Sequence, residues 1–321
     1  MLLAGDVGGT RTRLGLFARG TERPTPVSVA EFTTLSYESI EDKIDAILTE
    51  ADEHRIDEVA LGVAGVVTRD VARLTNVPWV VDAGAVAERL GIRRLTLLND
   101  LEAMATAVPV LEPDELAVLQ EGTAQPDGNA AVIAAGTGLG EALLHNIDGR
   151  FIPSPTEAGH TDFAARTPRE IELLQELTRT FGRAEYEQVI SGQGLSNLAR
   201  FTHAGKLCAQ LEGADATTLP SLVTRSALAK RCCHCVEVLD LFVGVYGAEA
   251  GNLALRSVAT AGIYVGGGIA PKILPALEDG RFMEAFRSKG PMTDLMATIP
   301  VSVIIQPWPG LLGAAVHANN A

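Results

Sequence analysis

Two short glycine turns stand at the ends of apolar runs, and turns of this kind can hold phosphate. One is Asp6-Val7-Gly8-Gly9-Thr10, after Leu2-Leu3-Ala4-Gly5. The other is Gly136-Thr137-Gly138, after Ala130–Ala135. Without a Cβ, Gly8, Gly9, Gly136 and Gly138 let backbone N–H groups approach phosphate oxygens, and Thr10 and Thr137 each add a hydroxyl donor. Asp6, at a strand end, offers a hard oxygen that can hold Mg2+ through water. Either turn alone reads equally as a plain β-hairpin; the pair points towards a nucleotide. A third run, Gly266-Gly267-Gly268, follows Ile263-Tyr264-Val265 and is expected to open a helix. That is a place for ribose or an α-phosphate, or for close helix–strand packing.

Carboxylates and one histidine supply further chemistry. Asn99-Asp100 follows the apolar run Leu95–Leu98 and is expected to begin a helix. Asp100 there can take the proton of an attacking hydroxyl; its other reading is a helix N-cap. Glu157, His160 and Asp162 share one loop, and Glu187 precedes Ser191-Gly192-Gln193-Gly194. Carboxylates accept hydrogen bonds from neighbouring sugar hydroxyls, and a histidine offers one donor and one acceptor. A zinc site is a rival reading of that loop, and an ordinary surface loop is a rival for Asp162. Cys232-Cys233-His234-Cys235 looks like a ligand run. However, adjacent cysteines on a helix face different ways, and Cys208 alone supplies no matching pair. Buried inert thiols are expected there, and no structural zinc. P-loop, dinucleotide and protein-kinase motifs are absent.

The elements that must position these residues follow from periodicity. Residues 2–17 read as strand, turn and strand, with a third strand near Val27–Thr34. Ile40, Ile44, Ile47 and Leu48 recur at helical spacing. Val59–Val63 and Gly65–Leu74 read as strands, Val86–Leu90 as part of a helix, and Leu101–Val108 as a helix stopped by Pro109. Glu112–Gly128 reads as a polar connection. Pro168–Phe181 is expected to be helical, with Pro168 in its first turn. A long helical pattern runs from Leu222 to about Arg256, then a helix over Ile269–Leu277, a last strand at Val301–Ile305 and a last helix at Pro309–His317. Leu2–Phe17 and Val132–Leu144 repeat one plan, which suggests a duplicated nucleotide-binding architecture.

With 321 residues, about two domains are expected. The 47% apolar and 21% charged composition excludes a disordered chain. A net charge of −14 argues against nucleic acid and against an anionic membrane surface. It leaves room for an anionic small ligand held by local amides. No secretory signal is visible at Met1–Asp6, and no apolar run reaches roughly 18 residues. Four cysteines make a poor disulfide framework and fit a reducing cytoplasm.

The ordered set of motifs resembles bacterial glucokinase of the proteobacterial type. It comprises the turns at residues 6–10 and 136–140, Leu98-Asn99-Asp100, Glu157-Ala158-Gly159-His160, residues 191–194, Gly266-Gly267-Gly268-Ile269 and Pro309-Gly310-Leu311-Leu312-Gly313. The resemblance implies an α/β, actin-like ATPase (hexokinase-type) fold with a cleft between two α/β domains. Residues 1–108 plus 300–321 would form the smaller domain and 109–299 the larger, so that the last strand and helix return to the first. It implies an ATP-dependent glucokinase that makes glucose 6-phosphate for glycolysis, with Mg2+ accompanying ATP. Asp100 matches the catalytic base. Asn99, Glu157, His160 and Glu187 match glucose-binding residues. Gly8, Gly9, Thr10, Gly136, Thr137 and Gly138 would clamp phosphates, and Gly267 and Gly268 would approach the nucleoside. A homodimer also follows from the resemblance. Arg11 departs from it, standing where the family has Asn; it either pairs with phosphate or points out of the hairpin. The cysteine-rich zinc motif of the related sugar-kinase and repressor family is missing after His160, which argues for the metal-free branch. The alternatives are a kinase for mannose, glucosamine or N-acetylglucosamine, and a non-catalytic sugar sensor.

Overall fold

Leu2–Val7 is apolar on both faces because it lies in the middle of a mixed sheet. It pairs antiparallel with Arg11–Ala18 and parallel with Glu58–Val63, which in turn pairs parallel with Leu95–Asn99. Thr25–Thr33 completes the far side, so the order is Thr25–Thr33, Arg11–Ala18, Leu2–Val7, Glu58–Val63, Leu95–Asn99. The computed structural model describes residues 1–50, 55–74 and 77–321. This sheet belongs to the first of two units, Met1–Pro113 with Phe151–Pro155 and Gln306–Ala321. On one face, Leu3 and Val7 pack with Ile40, Ile44 and Ile47 of the helix Ile40–Glu50. On the other, Leu2 and Ala4 pack with Leu311, Ala314 and Ala315 of the helix Pro309–Asn319. That helix lies so close to the helix Asp100–Ala107 that a Cβ on Gly313 would overlap the Ala103 carbonyl oxygen.

Gly65–Leu74, expected as one strand, is a hairpin of Gly65–Thr68 and Val71–Leu74. Arg69 and Asp70 turn it with φ of 51° and 61°. Two positive φ values are the signature of a two-residue hairpin turn, and these residue types conceal it.

The second unit comprises Asp114–Arg150 and Thr156–Ile305. Its sheet repeats the plan of the first. Ala130–Ala135 pairs antiparallel with Leu139–Ile147 and parallel with Gly262–Gly266, and Val301–Ile304 lies parallel beyond. The last strand, expected to return to the first domain, therefore belongs to this sheet. Its outer neighbour is Leu116–Gln120, antiparallel, within the stretch read as a polar connection. Only Gln120 of that strand is buried. Its run Leu116-Ala117-Val118-Leu119 is apolar, but it is short and set between polar, proline-containing stretches that hide it.

Pro168–Phe181 is helical as expected, with Pro168 at its first position. The long helical pattern after Leu222 is two helices, Leu219–Leu228 and Cys233–Ser257, interrupted where Lys230 takes φ 53°. Contrary to the hydropathy expectation, Cys233–Ser257 is long and apolar enough to cross a membrane; most of it is buried inside the unit. A mostly buried core helix passes the same test. Gly247 and Gly251 bring it against Arg281–Arg287, since a Cβ at either would press on the Phe282 or Phe286 carbonyl oxygen.

Candidate functional site

In the first unit the chemistry gathers at the carboxyl edge of three parallel strands, the usual place for ligands in α/β sheets. Asp6, Gly62 and Leu98 lie side by side in register, as do Val7, Val63 and Asn99. Adjacent strands are about 4.8 Å apart, so the backbones at Asp6 and Leu98 are ~10 Å apart. Asn99 is the N-cap of the helix Asp100–Ala107, and Asp100 is not. The Asn99 Oδ1 accepts from Leu101 N–H at 2.9 Å and Glu102 N–H at 3.4 Å, while the Glu102 carboxylate accepts from Asn99 N–H at 3.3 Å. Its Nδ2 donates to the Gly65 carbonyl at 3.2 Å. With this reciprocal cap filled by Asn99, Asp100 becomes the first helical residue, and its Oδ1 accepts from Leu101 N–H at 3.0 Å.

Asp6 lies 3.7 Å from Arg13, whose Nε donates to Glu31 at 2.7 Å. Burial raises the Asp6 pKa, and Arg13 partly opposes this. Gly310, in the first turn of the last helix, packs against the Asp6 carboxylate. The turn beyond is a two-residue hairpin: Gly8 N–H donates to Arg11 O at 3.0 Å, with Gly9 and Thr10 at the tip. Thr34 fastens it from the side, donating its hydroxyl to Gly8 O at 2.7 Å and its N–H to Thr10 O at 2.9 Å. Arg11 is exposed and pairs with Glu31.

In the second unit the strand Ala130–Ala135 delivers the Gly136–Gly138 turn. Gly136 N–H donates to Gly138 O at 2.8 Å, and Gly136 O accepts from Gly192 N–H at 2.9 Å. Thr137 is exposed. Gly267, at φ 84°, lies on the Ala135 backbone, where a Cβ would overlap the carbonyl oxygen. The two glycine runs are thus neighbours. The segment after Gly268 is not the expected helix but a 3-10 turn, Ala270–Ile273, and one helical turn, Leu274–Leu277. Pro275 has no N–H with which to continue a helix through Ile269–Leu277.

Sequence reasoning missed Tyr246. Its buried hydroxyl accepts from Ala135 N–H and lies against the Ile133 and Gly266 carbonyls, each at 3.2 Å. It ties together the two strands that carry the glycine runs. Burial raises its pKa, so it remains a donor. No short-range signal marks a tyrosine on a distant helix for this role.

Glu187 and His160 come together. Glu187 accepts from Leu139 N–H at 2.9 Å and fills the place of a Cβ on Gly138. His160 Nδ1 lies 3.3 Å from Glu185, and His160, Glu185 and Glu187 present ligand atoms within 4.8 Å of one another. Glu185 was not foreseen; its spacing from Glu187 is the only hint. The 157–160 loop is pressed against the strand after the turn, since a Cβ on Gly159 would overlap Leu139 O. Among the described residues the Glu157 side chain makes no hydrogen bond. Asp162 stands apart, exposed and paired with Arg183 at 2.6 Å, so the rival zinc reading through Glu157, His160 and Asp162 is not assembled.

The cysteine expectation also needs correction. His203, Cys208, Cys232 and Cys235 place their ligand atoms within 4.8 Å of one another. The missing partners of the Cys232-x-x-Cys235 pair lie upstream as a mixed His/Cys pair, which spacing arguments about a second CxxC overlook.

A family model described as Glucokinase matches residues 3–321. A curated glucokinase from Mesorhizobium japonicum is 38% identical over 320 residues, covering 99% of this chain and 92% of the relative. The crystal structure of a glucokinase from an Antarctic psychrotroph superposes with a TM-score of 0.86 at 29% identity, covering 100% and 99% of the two chains. A glucokinase from Balamuthia mandrillaris, solved in complex with glucose, shares the fold with a TM-score of 0.82 at 21% identity, covering 100% and 93%. The fold is the actin-like ATPase, hexokinase-type α/β fold anticipated from the motifs. The chain belongs to the Glucokinase family.

Proposed function

We propose that this chain transfers the γ-phosphoryl group of ATP to the 6-hydroxyl of glucose, giving glucose 6-phosphate and ADP. Beyond family membership, one observation carries the reading. Asn99 fills the helix cap, which leaves Asp100 as a carboxylate at the strand edge that also presents Asp6. Asp100 accepts the proton of the attacking hydroxyl. Phosphoryl transfer asks little covalent chemistry of a protein, so positioning and charge stabilisation do most of the work.

Asn99, Glu157, His160 and Glu187 bind the sugar hydroxyls in this account. Glu187 joins recognition to positioning, because it also holds the turn at Leu139 N–H. Gly8, Gly9, Thr10, Gly136, Thr137 and Gly138 approach the phosphates, and Gly267 and Gly268 the nucleoside. Asp6 fits Mg2+ as a partly buried, hard-oxygen donor whose pKa burial raises, and whose ion-pair partner Arg13 is 3.7 Å away. When bound with ATP, the ion neutralises charge on the phosphates. Glycolysis in the cytoplasm is the setting we assign. Steady-state ADP formation from Mg·ATP across a hexose panel tests the reading. Glucose should give the highest kcat/KM; a higher value with mannose, glucosamine or N-acetylglucosamine would move the substrate, and sugar binding without turnover would leave a sensor.

A further inference from the structure

Three elements of the second unit converge on four side chains that the sugar-kinase reading does not use. His203 caps the end of the helix Gly192–Thr202, Cys208 precedes the short turn Ala209–Leu211, and Cys232 and Cys235 open the helix Cys233–Ser257. His203 and Cys235 are buried, and Cys208 and Cys232 are half-buried. All four cysteines are free of disulfides, and Cys233, which faces the other way, is exposed.

The geometry suits a tetrahedral ion. His203 Nε2 lies 3.6 Å from Cys232 Sγ and 4.0 Å from Cys235 Sγ. Zinc–nitrogen and zinc–sulfur bonds of about 2.0 and 2.3 Å at tetrahedral angles require N···S separations of roughly 3.6 Å. The histidine is oriented from behind. Its Nδ1–H donates to the Ala199 carbonyl at 2.8 Å, which leaves the Nε2 lone pair aimed at the sulfurs. Cys232 is the N-cap of its helix, which places its side chain beside that of Cys235.

We propose that His203, Cys208, Cys232 and Cys235 form a structural site for a thiolate-preferring divalent cation, zinc above all. Four protein ligands close the coordination sphere, as structural zinc sites require, and leave no position for substrate. The ion would join the C-terminal end of the helix Gly192–Thr202 to the start of the core helix Cys233–Ser257. The other end of the first of these helices holds Gly136 O through Gly192 N–H, so the site braces the glycine turn from a helix length away.

The test is metal analysis of the full chain purified from zinc-supplemented medium, by plasma mass spectrometry and native mass spectrometry. One zinc per chain is expected in the wild type and in Cys233→Ser, and none in Cys208→Ser or Cys232→Ser, with a melting temperature several degrees lower in both. Should those variants fail to fold, cobalt added to demetallated wild-type protein should produce an intense thiolate-to-cobalt absorption band. Wild-type protein that retains no zinc and gives no such band would overturn the site. So would zinc retained at full stoichiometry in both ligand variants.

Discussion

At the scale of single residues, the helix cap decides how Asn99 and Asp100 divide their work. Asp100→Asn should lower kcat roughly 10²–10⁴-fold, the usual loss for a general base, while leaving the thermal melting curve in place. Asn99→Ala removes the side-chain half of the reciprocal cap, leaving the backbone N–H of residue 99 on Glu102, and should cost about 0.5–2 kcal/mol in a urea titration. Asn99→Asp keeps the capping oxygen but loses the Nδ2 donation to Gly65 O, so it should lose less stability than Asn99→Ala, while raising KM for glucose if the amide also contacts sugar. Equal instability in both variants would show that the cap is not what Asn99 contributes. The residue types here were legible in the sequence. Which of the two adjacent residues makes the cap was not, because Asn and Asp cap almost equally well and only the backbone selects between them.

At the scale of elements, the legible parts are those with strong local periodicity or a turn that glycine enforces. Both hairpins and the helix Pro168–Phe181 fall where the pattern puts them. What escaped depends on partners far away in sequence. Leu116–Gln120 is a strand only because Val301–Ile304 lies beside it, and Tyr246 matters only because two strands meet under it. His203 and Cys208 become neighbours of Cys232 and Cys235 only through helix packing. Close packing also sets a prediction. Gly313→Ala places a methyl group where the Ala103 carbonyl oxygen stands, between two helices that cannot separate without opening the core. Overpacking of this kind costs about 1–3 kcal/mol, so the urea midpoint should fall with an unchanged m-value. Gly267→Ala combines a positive φ with overlap on Ala135 and should destabilise by a similar ~1–3 kcal/mol.

At the scale of the whole molecule, a buried charge network should shape the pH dependence of stability. Glu141 is fully buried beside Glu249, and both carboxylates meet Arg256. Burial, and next the neighbouring Glu249, push the Glu141 pKa up to about 8. A carboxyl whose folded-state pKa is raised keeps its proton more tightly when folded. Its contribution is therefore complete below the unfolded value near 4.5 and is lost as pH rises towards 8. Denaturant titrations of wild type should show stability falling across that window, and Glu141→Gln should flatten the fall. Lys289, whose pKa burial lowers to about 8, acts in a separate window above that value, where stability recovers as the unfolded chain keeps its proton longer. Unchanged slopes in Glu141→Gln would place the titration elsewhere.

The central claim is that this chain phosphorylates glucose, with Asp100 as the base. The most direct measurement is ADP release by purified wild type and Asp100→Asn in Mg·ATP, with and without glucose. The account predicts turnover that depends on glucose in the wild type and is reduced at least ~10²-fold in the variant. Glucose-independent ADP release, or equal turnover in the two proteins, would contradict it.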